Sequence, residues 1–319
     1  MLTFIAALVI GFLLLMWSAN TFADNALLLG QRFNISKILI GIVILGFGTS
    51  APELLVSALS ALQGNPGLAI GNALGSNITN ILLVLGVTLC ILPIKIDAGL
   101  IRKNFLLLLT ATVLFSLLIF DQQLNFIDGL LLVCALIVTL YLLSRCDAQE
   151  DEQTDCSNKE SATDHLSMTR ILVGLFIGLA ILLASSKLVV WSATEIAQHL
   201  GVSDLIIGLT IVALGTSLPE LATCIASAMK KHSELALGNI VGSNIFNTLG
   251  VTGTASLIAT YKLPEQVFSR DYPIMLIATG MLFALVLIFS RKKYIPRNFG
   301  ILFIIGYAAY IYLIYNQTL

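Results

Sequence analysis

The sequence is poor in charge. Asp, Glu, Lys and Arg make up only 11% of its 319 residues, while 57% are hydrophobic and the mean hydropathy is +0.95; an ordinary soluble domain carries about a quarter charged residues. That scarcity excludes a soluble globular domain and leaves an integral membrane protein. Histidine is scarce as well: His165, His199 and His232 all fall in or beside expected loops. The five cysteines (Cys90, Cys134, Cys146, Cys156 and Cys224) lack a metal-ligand spacing and read as small core or loop residues. No block of basic residues accompanies the net charge of -1, so nucleic acid is not an expected partner. No basic segment precedes the first apolar run, so Met1 to Ser18 is expected to stay as a helix and not to be cleaved.

Long apolar runs are abundant. Ten segments approach the roughly 20 residues that a helix needs to cross a hydrocarbon core: 2–19, 36–62, 67–92, 104–120, 126–144, 169–194, 203–229, 235–260, 272–289 and 298–315. The expected fold is therefore an all-α membrane protein of ten transmembrane helices. Basic residues set its orientation. Fourteen of them, from Arg32 and Lys37 through Arg145 and Lys230 to Arg297, fall on one side, against Lys262 and Arg270 on the other, with Lys187 inside the sixth segment. This places both termini outside, the longest loop in the cytoplasm and, for a bacterium, the chain in the inner membrane.

The stretch "GFGTSAPELL" (46–55) puts a proline and a glutamate inside an apolar run, and it has a twin, "ALGTSLPELA" (213–222). The same offset of 167 residues carries "GNALGSNITN" (71–80) onto "GNIVGSNIFN" (238–247) and "ISKILIG" (35–41) onto "VSDLIIG" (202–208). A shared offset over more than fifty residues marks a duplicated unit. The first unit is expected over residues 1–144, with its motif at 46–80, and the second over 169–319, with its motif at 213–247. Five helices per unit is an odd number, so the copies are expected to be inverted, as in secondary transporters that bind ions between broken helices. Between them, residues 145–168 form an acidic cytoplasmic linker that includes Asp147, Glu150, Asp151, Glu152, Asp155, Glu160 and Asp164. Its spacing does not match a Ca2+ loop, and it reads as a solvated connection.

Of eighteen acidic residues, only Glu53 and Glu220 fall deep within expected spans. A charge at the bilayer centre costs about 2.5–3.5 kcal/mol even on the insertion scale, and no Lys or Arg lies at comparable depth in the neighbouring repeat helices. A mobile cation is the economical partner. The rest of the motif suits a hard cation, which takes oxygen ligands. Pro52 and Pro219 have no N–H and open the helix near the Gly48 and Gly215 carbonyls. Thr49 and Glu53 share one face. Asn72, Ser76 and Asn80 form a stripe of neutral oxygens that Asn239, Ser243 and Asn247 repeat, beside the small residues Gly71, Gly75, Gly238 and Gly242 that allow close helix approach. Two ionised glutamates match one divalent or two monovalent cations. The two kinds of ion then compete for one ligand set, which is the basis of antiport.

The paired "GTSAPE" and "GTSLPE", each followed by "GNALGSN" or "GNIVGSN", resemble the two alpha-repeats of the sodium/calcium exchangers, prokaryotic branch, within the cation/calcium exchanger superfamily. The resemblance implies Na+-driven Ca2+ antiport by alternating access, with the second, third, seventh and eighth spans around the ions and the first and sixth sliding against them. It implies that Glu53 and Glu220 ligate Ca2+ with the backbone oxygens of Thr49 and Thr216. Flanking Na+ sites would draw on Ser50, Ser217, Ser76 and Ser243 and on backbone oxygen near Gly46 and Ala213, with Asn80 and Asn247 lining the centre. Several members carry an aspartate where this chain has Asn247, potassium-dependent ones among them, which disfavours K+ coupling and leaves the stoichiometry open. No catalytic residue and no resident cofactor is expected, since Ca2+ and Na+ are cargo. The expected partners are inorganic cations and the lipid bilayer, and one chain is expected to suffice.

Other readings remain at this point. The divalent ion could be another metal, the driving ion H+ or K+, and the protein a passive cation channel; an intramembrane enzyme lacks a nucleophile and base at depth. Protons compete with cations for the two carboxylates, so acid is expected to inhibit transport. Flux that stays flat as the pH falls well below neutral would contradict this.

Overall fold

A computed structural model describes residues 1–95, 98–148, 167–201, 211, 213–290, 292 and 294–318. The described chain is nearly all helix. Helix α1 spans Leu2–Arg32, α2 Lys37–Thr49, α3 Ala51–Leu62 and α4 Gly67–Ile91; strand β1 (Ile94–Lys95), α5 (Ala98–Leu118), β2 (Gln123–Leu124) and α6 (Phe126–Ala148) follow. After the linker come α7 (Met168–His199), the single turn α8 (Ala213–Gly215), α9 (Leu218–Met229) and α10, which begins as Ser233–Ile245 and runs through Phe246–Val251 into Thr252–Ile258. Strand β3 (Tyr261–Lys262), α11 (Val267–Phe289), β4 (Tyr294–Ile295) and α12 (Asn298–Thr318) complete it.

Six of these helices are long and apolar enough to cross a membrane, and a seventh span results if α2 and α3 are taken together. The segment expected at 203–229 begins in residues outside those described, as do Asp204 and linker residues 149–166. Helices α1 and α7 run to 31 and 32 residues, well past the expected 2–19 and 169–194. At about 1.5 Å per residue they exceed the ~30 Å hydrocarbon thickness, and a helix of that length tilts or projects from the bilayer. They pack against each other along their lengths and carry many exposed apolar side chains, including Leu13, Trp17, Phe176 and Trp191.

Helices α4 and α10 form the centre. Every residue of Ser233–Ile245, apart from the partly buried Glu234, and all of Phe246–Val251 is buried. Lipid tails are as apolar as leucine, so close backbone packing and polar contacts hold such a centre together. Glycine makes the closest crossing possible: a Cβ at Gly46 would lie 2.9 Å from the backbone of Gly242, and one at Gly242 would strike the Ile42 carbonyl. Of the four glycines expected to permit close approach, Gly238 and Gly242 do so against α2. The repeat offset carries the α2 stretch they meet, residues 38–46, onto 205–213, so the corresponding partners of Gly71 and Gly75 lie mostly outside the described set.

The outer helices dock the same way at both ends of the pair. Gly129 of α6 meets the backbone of Leu257 and Gly253 in α10, and Gly300 of α12 meets that of Gly86 and Cys90 in α4. Strands also pair across the halves, β1 with β4 and β2 with β3. The turns after α3 and α9 close alike, with Asn65 N–H on Ser60 O and His232 N–H on Ser227 O. The position between uses the left-handed region in both, at Gly64 (φ 74°) and Lys231 (φ 62°). An ion pair from Lys230 to Asp24 (2.6 Å) ties this turn to α1; both side chains are exposed, so it contributes roughly 0.2–1 kcal/mol.

Gly242→Val is expected to abolish the α2–α10 crossing, because overpacking a well-packed contact costs about 1–3 kcal/mol or more. A lower midpoint of thermal unfolding, or loss of the monodisperse peak on size-exclusion chromatography, is the expected result.

Candidate functional site

The proline motifs break their helices where expected. Chain direction changes by 42° between α2 and α3, at Ser50 (φ -82°, ψ 4°), and the equivalent Ser217 has nearly the same backbone angles (φ -88°, ψ 4°). Pro52 and Pro219 occupy the first turn of the following helix, where a missing N–H is harmless. Each break therefore creates a helix N-terminus inside the bundle, and Glu53 and Glu220 lie in those first turns. The positive end of a helix dipole favours a carboxylate there.

Both glutamates are completely buried, and neither faces lipid. A contact crosses between the two motifs. Ser50 Oγ of the first motif donates to Glu220 Oε1 of the second at 3.3 Å. Ser76 Oγ donates to Glu53 Oε1 at 3.4 Å from within the same motif. No Lys or Arg touches either carboxylate among the described residues.

One flank of the pair is well defined. Ser243 Oγ lies 3.4 Å from both the Gly46 carbonyl and Thr49 Oγ1; the Thr49 hydroxyl also reaches Asn239 Oδ1 at 3.2 Å and the Leu45 carbonyl at 2.9 Å. On the other flank Ser217 Oγ is buried without a hydrogen-bond partner among the described residues. Ala213 begins the single turn α8, and its side chain is outside the described set. Asn80 and Asn247 are both fully buried, and neither amide group has a partner among the described residues; the same holds for Glu53 Oε2 and Glu220 Oε2. The helices widen to π turns here, at Asn80–Val84 and Phe246–Val251, a distortion frequent at functional sites.

Unpartnered buried polar atoms are costly, and here they come in equivalent pairs around two carboxylates. The donor set is two carboxylates, amide oxygens, hydroxyls and carbonyls, which fits a hard, oxygen-seeking cation. A cavity of about 100 Å³ between Phe47, Leu136, Phe246 and Thr254 reaches Ser50, and the Phe47 and Phe246 rings pack 4.9 Å apart beside it.

Several roles were not legible in the motif. The Nδ2 groups of Asn72 and Asn239 bracket the glutamates, donating to the Glu53 backbone O at 3.2 Å and to Glu220 O at 3.4 Å, and Asn239 Oδ1 is taken up by Thr49. Each also reaches across to the next turn, Asn72 to Ser57 Oγ (3.0 Å) and Asn239 to Cys224 Sγ (3.2 Å). The Gly215 carbonyl freed by Pro219 is taken up by Ser186 Oγ of α7 at 2.9 Å. Asn77 Nδ2 bonds Thr248 Oγ1 at 2.8 Å, whereas its equivalent, Asn244, has no partner among the described residues. The repeat offset could have paired Asn77 with Asn244, but no sequence signal marks Ser186.

A family model described as sodium/calcium exchanger protein matches residues 3–145 and 170–316. A protein of Alkalimonas amylolytica that carries an antiporter name, CaxA, is 40% identical over 97% of both chains. The inner membrane protein YrbG of Escherichia coli is 35% identical over 99% of this chain and 98% of its own. A solved structure of the sodium-calcium exchanger NCX_Mj, soaked with zero Na+ and Ca2+, superposes with a TM-score of 0.84 at 32% identity, covering 98% of this chain and 99% of that one.

If the orphaned oxygens hold a divalent cation, that cation stabilises the fold by mass action, by about 2.7 kcal/mol at a hundredfold excess over its dissociation constant. Millimolar Ca2+ is thus expected to raise the unfolding midpoint of the wild-type protein and to leave Glu220→Gln unmoved, as read by a thermal shift in detergent.

Proposed function

The chain belongs to the sodium/calcium exchanger protein family, and on that premise we propose that it is a secondary antiporter exchanging Ca2+ for Na+ by alternating access. The observation that carries this reading is the pair of buried glutamates, one from each motif, Glu220 accepting from Ser50 of the opposite motif and Glu53 from Ser76 of its own, each left with one unpartnered oxygen. In this reading Glu53 and Glu220 ligate Ca2+ together with the Thr49 and Thr216 backbone oxygens. Na+ would occupy flanking positions that use Ser76, Ser217, Ser50 and Ser243 and the carbonyls near Gly46 and Ala213, while Asn80 and Asn247 line the centre. The gathering of Gly46 O, Thr49 and Ser243 within 3.4 Å of one another supports one such flank.

Two carboxylates can be neutralised by one Ca2+ or by two Na+, and either choice offsets a desolvation cost of several kcal/mol per buried charge. An empty pair retains its mutual repulsion. That penalty disfavours changing the side of access without cargo, and this separates exchange from leak. Ca2+ and Na+ are cargo in this scheme, with no resident cofactor, and one chain carries both halves of the site.

We read the architecture as ten transmembrane helices in two inverted five-helix repeats, residues 1–144 and 169–319. The reciprocal pairings β1–β4 and β2–β3 and the matching glycine contacts α6–α10 and α12–α4 support this. A twofold axis in the membrane plane exchanges each pair with the other. The basic-residue bias places both termini outside and the acidic 145–168 linker in the cytoplasm.

The test is uptake of 45Ca2+ into Na+-loaded proteoliposomes. Wild type is expected to accumulate Ca2+ only against an opposing Na+ gradient, and Glu53→Gln and Glu220→Gln to fall to background. Wild-type rates in both variants would remove the site assignment. Uptake that needs no counter-ion would indicate a channel.

A further inference from the structure

Serines in these helices mostly turn back on their own helix: Ser18 Oγ bonds Leu15 O, Ser185 Oγ bonds Leu182 O and Ser192 Oγ bonds Leu188 O. Ser186 does not. Its buried hydroxyl leaves α7 and donates to the Gly215 carbonyl at 2.9 Å. That carbonyl has no N–H four residues on, because Pro219 stands there. The same peptide unit carries the N–H of Thr216, the counterpart of Thr49, whose backbone oxygen is a Ca2+ ligand in the reading above.

We propose that Ser186 is a positioning residue for the ion site: by holding the Gly215–Thr216 peptide it sets where the Thr216 oxygens stand relative to Glu53. The functional part rests on the antiport reading above. The seating of α7 agrees with it. One turn further along, Val190 packs on Gly215 so closely that a Cβ there has no room. The rotation of that peptide is therefore fixed from two points on one helix outside the motif.

The other half of the site is built differently. The repeat offset places Ala19 of α1 opposite Ser186, and Ala19 has no hydroxyl to give. Gly48, the counterpart of Gly215, packs on the Phe22 ring of α1 and on the Leu179 side chain of α7, with no hydroxyl beside it. Thr49 takes its bearings from Asn239 and Ser243 of α10. One threonine is thus set by the peripheral helix and the other by the central one. Helix α7 reaches the Thr216 peptide through a hydrogen bond, whereas at the Thr49 turn it offers only the apolar side chain of Leu179, so Ser186 gives one half of the site a directional tie to α7.

The experiment compares wild type, Ser186→Ala and Ser186→Thr in the full chain. Alanine is the residue the fold already holds at position 19, and threonine keeps the hydroxyl. In Na+-loaded proteoliposomes, Ser186→Ala is expected to raise KM for Ca2+ about two- to tenfold, the factor corresponding to one lost hydrogen bond, with the maximal rate within about twofold; Ser186→Thr is expected to restore KM. In nanodiscs without cations, hydrogen–deuterium exchange in peptides covering 213–221 is expected to rise in Ser186→Ala and to return toward wild type in Ser186→Thr. An unchanged KM in Ser186→Ala, or an equal defect in Ser186→Thr, overturns the role at the ion site. Unchanged deuterium uptake overturns the tether itself. Absence of exchange by wild type would instead remove the antiport reading, and the deuterium comparison then decides the tether alone.

Discussion

Two carboxylates buried together without a cation of the protein's own is the constraint on which the rest of this structure depends. A buried carboxylate needs compensation, and two in one bundle need more. The chain supplies part of it by breaking two helices, so that each glutamate meets the positive end of a helix dipole and a serine hydroxyl, Ser76 for Glu53 and Ser50 of the opposite motif for Glu220. The remainder is left open, as orphaned oxygens on Glu53, Glu220, Asn80 and Asn247. A site with a built-in lysine would be more stable and could not exchange its cargo.

The surroundings follow from the same requirement. Broken helices expose backbone, which is tolerated at membrane depth only inside protein. The breaks are therefore enclosed by α10, whose residues are almost all buried, and sealed by the glycine crossing at Gly46 and Gly242. Asn72 and Asn239 add a second level of support, since each ties the backbone carbonyl of a glutamate to the central helix of its own motif. The two halves agree in these features and differ in detail: Ser57 is replaced by Cys224, Ala19 by Ser186, and Asn77 has a partner that Asn244 lacks. The duplicated motif sets the common frame, and the departures from it are where the contacts of its two copies differ.

Much of this was legible beforehand. The scarcity of charge gave the membrane class, the offset of 167 residues gave the duplicated motif, and the proline four residues after a glycine gave the break and the carbonyl it releases. The two isolated acids marked the two carboxylates that the fold buries completely. Less legible were the lengths of α1 and α7, because hydropathy marks the bilayer-embedded part of a helix and not the turns that continue beyond it. The stripes Asn72–Ser76–Asn80 and Asn239–Ser243–Asn247 each read as one face of ligands, yet the first asparagine of each became a brace and the last an open amide. Spacing places side chains on a face; what a side chain meets there depends on the neighbour.

The sequence alone determined what is local or periodic: membrane character, repeat register, the positions of the breaks and the chemical types of the donors. These depend on composition, on helix geometry and on the covalent limits of proline, all of which act within a few residues of chain. Only the tertiary structure decided that Ser50 serves Glu220 and not Glu53, that Ser243 joins Gly46 and that Ser186 takes the Gly215 carbonyl. Those contacts join residues 29 to 197 positions apart. They are fixed by how the helices cross, which depends on every side chain at the crossing and on no single stretch of sequence.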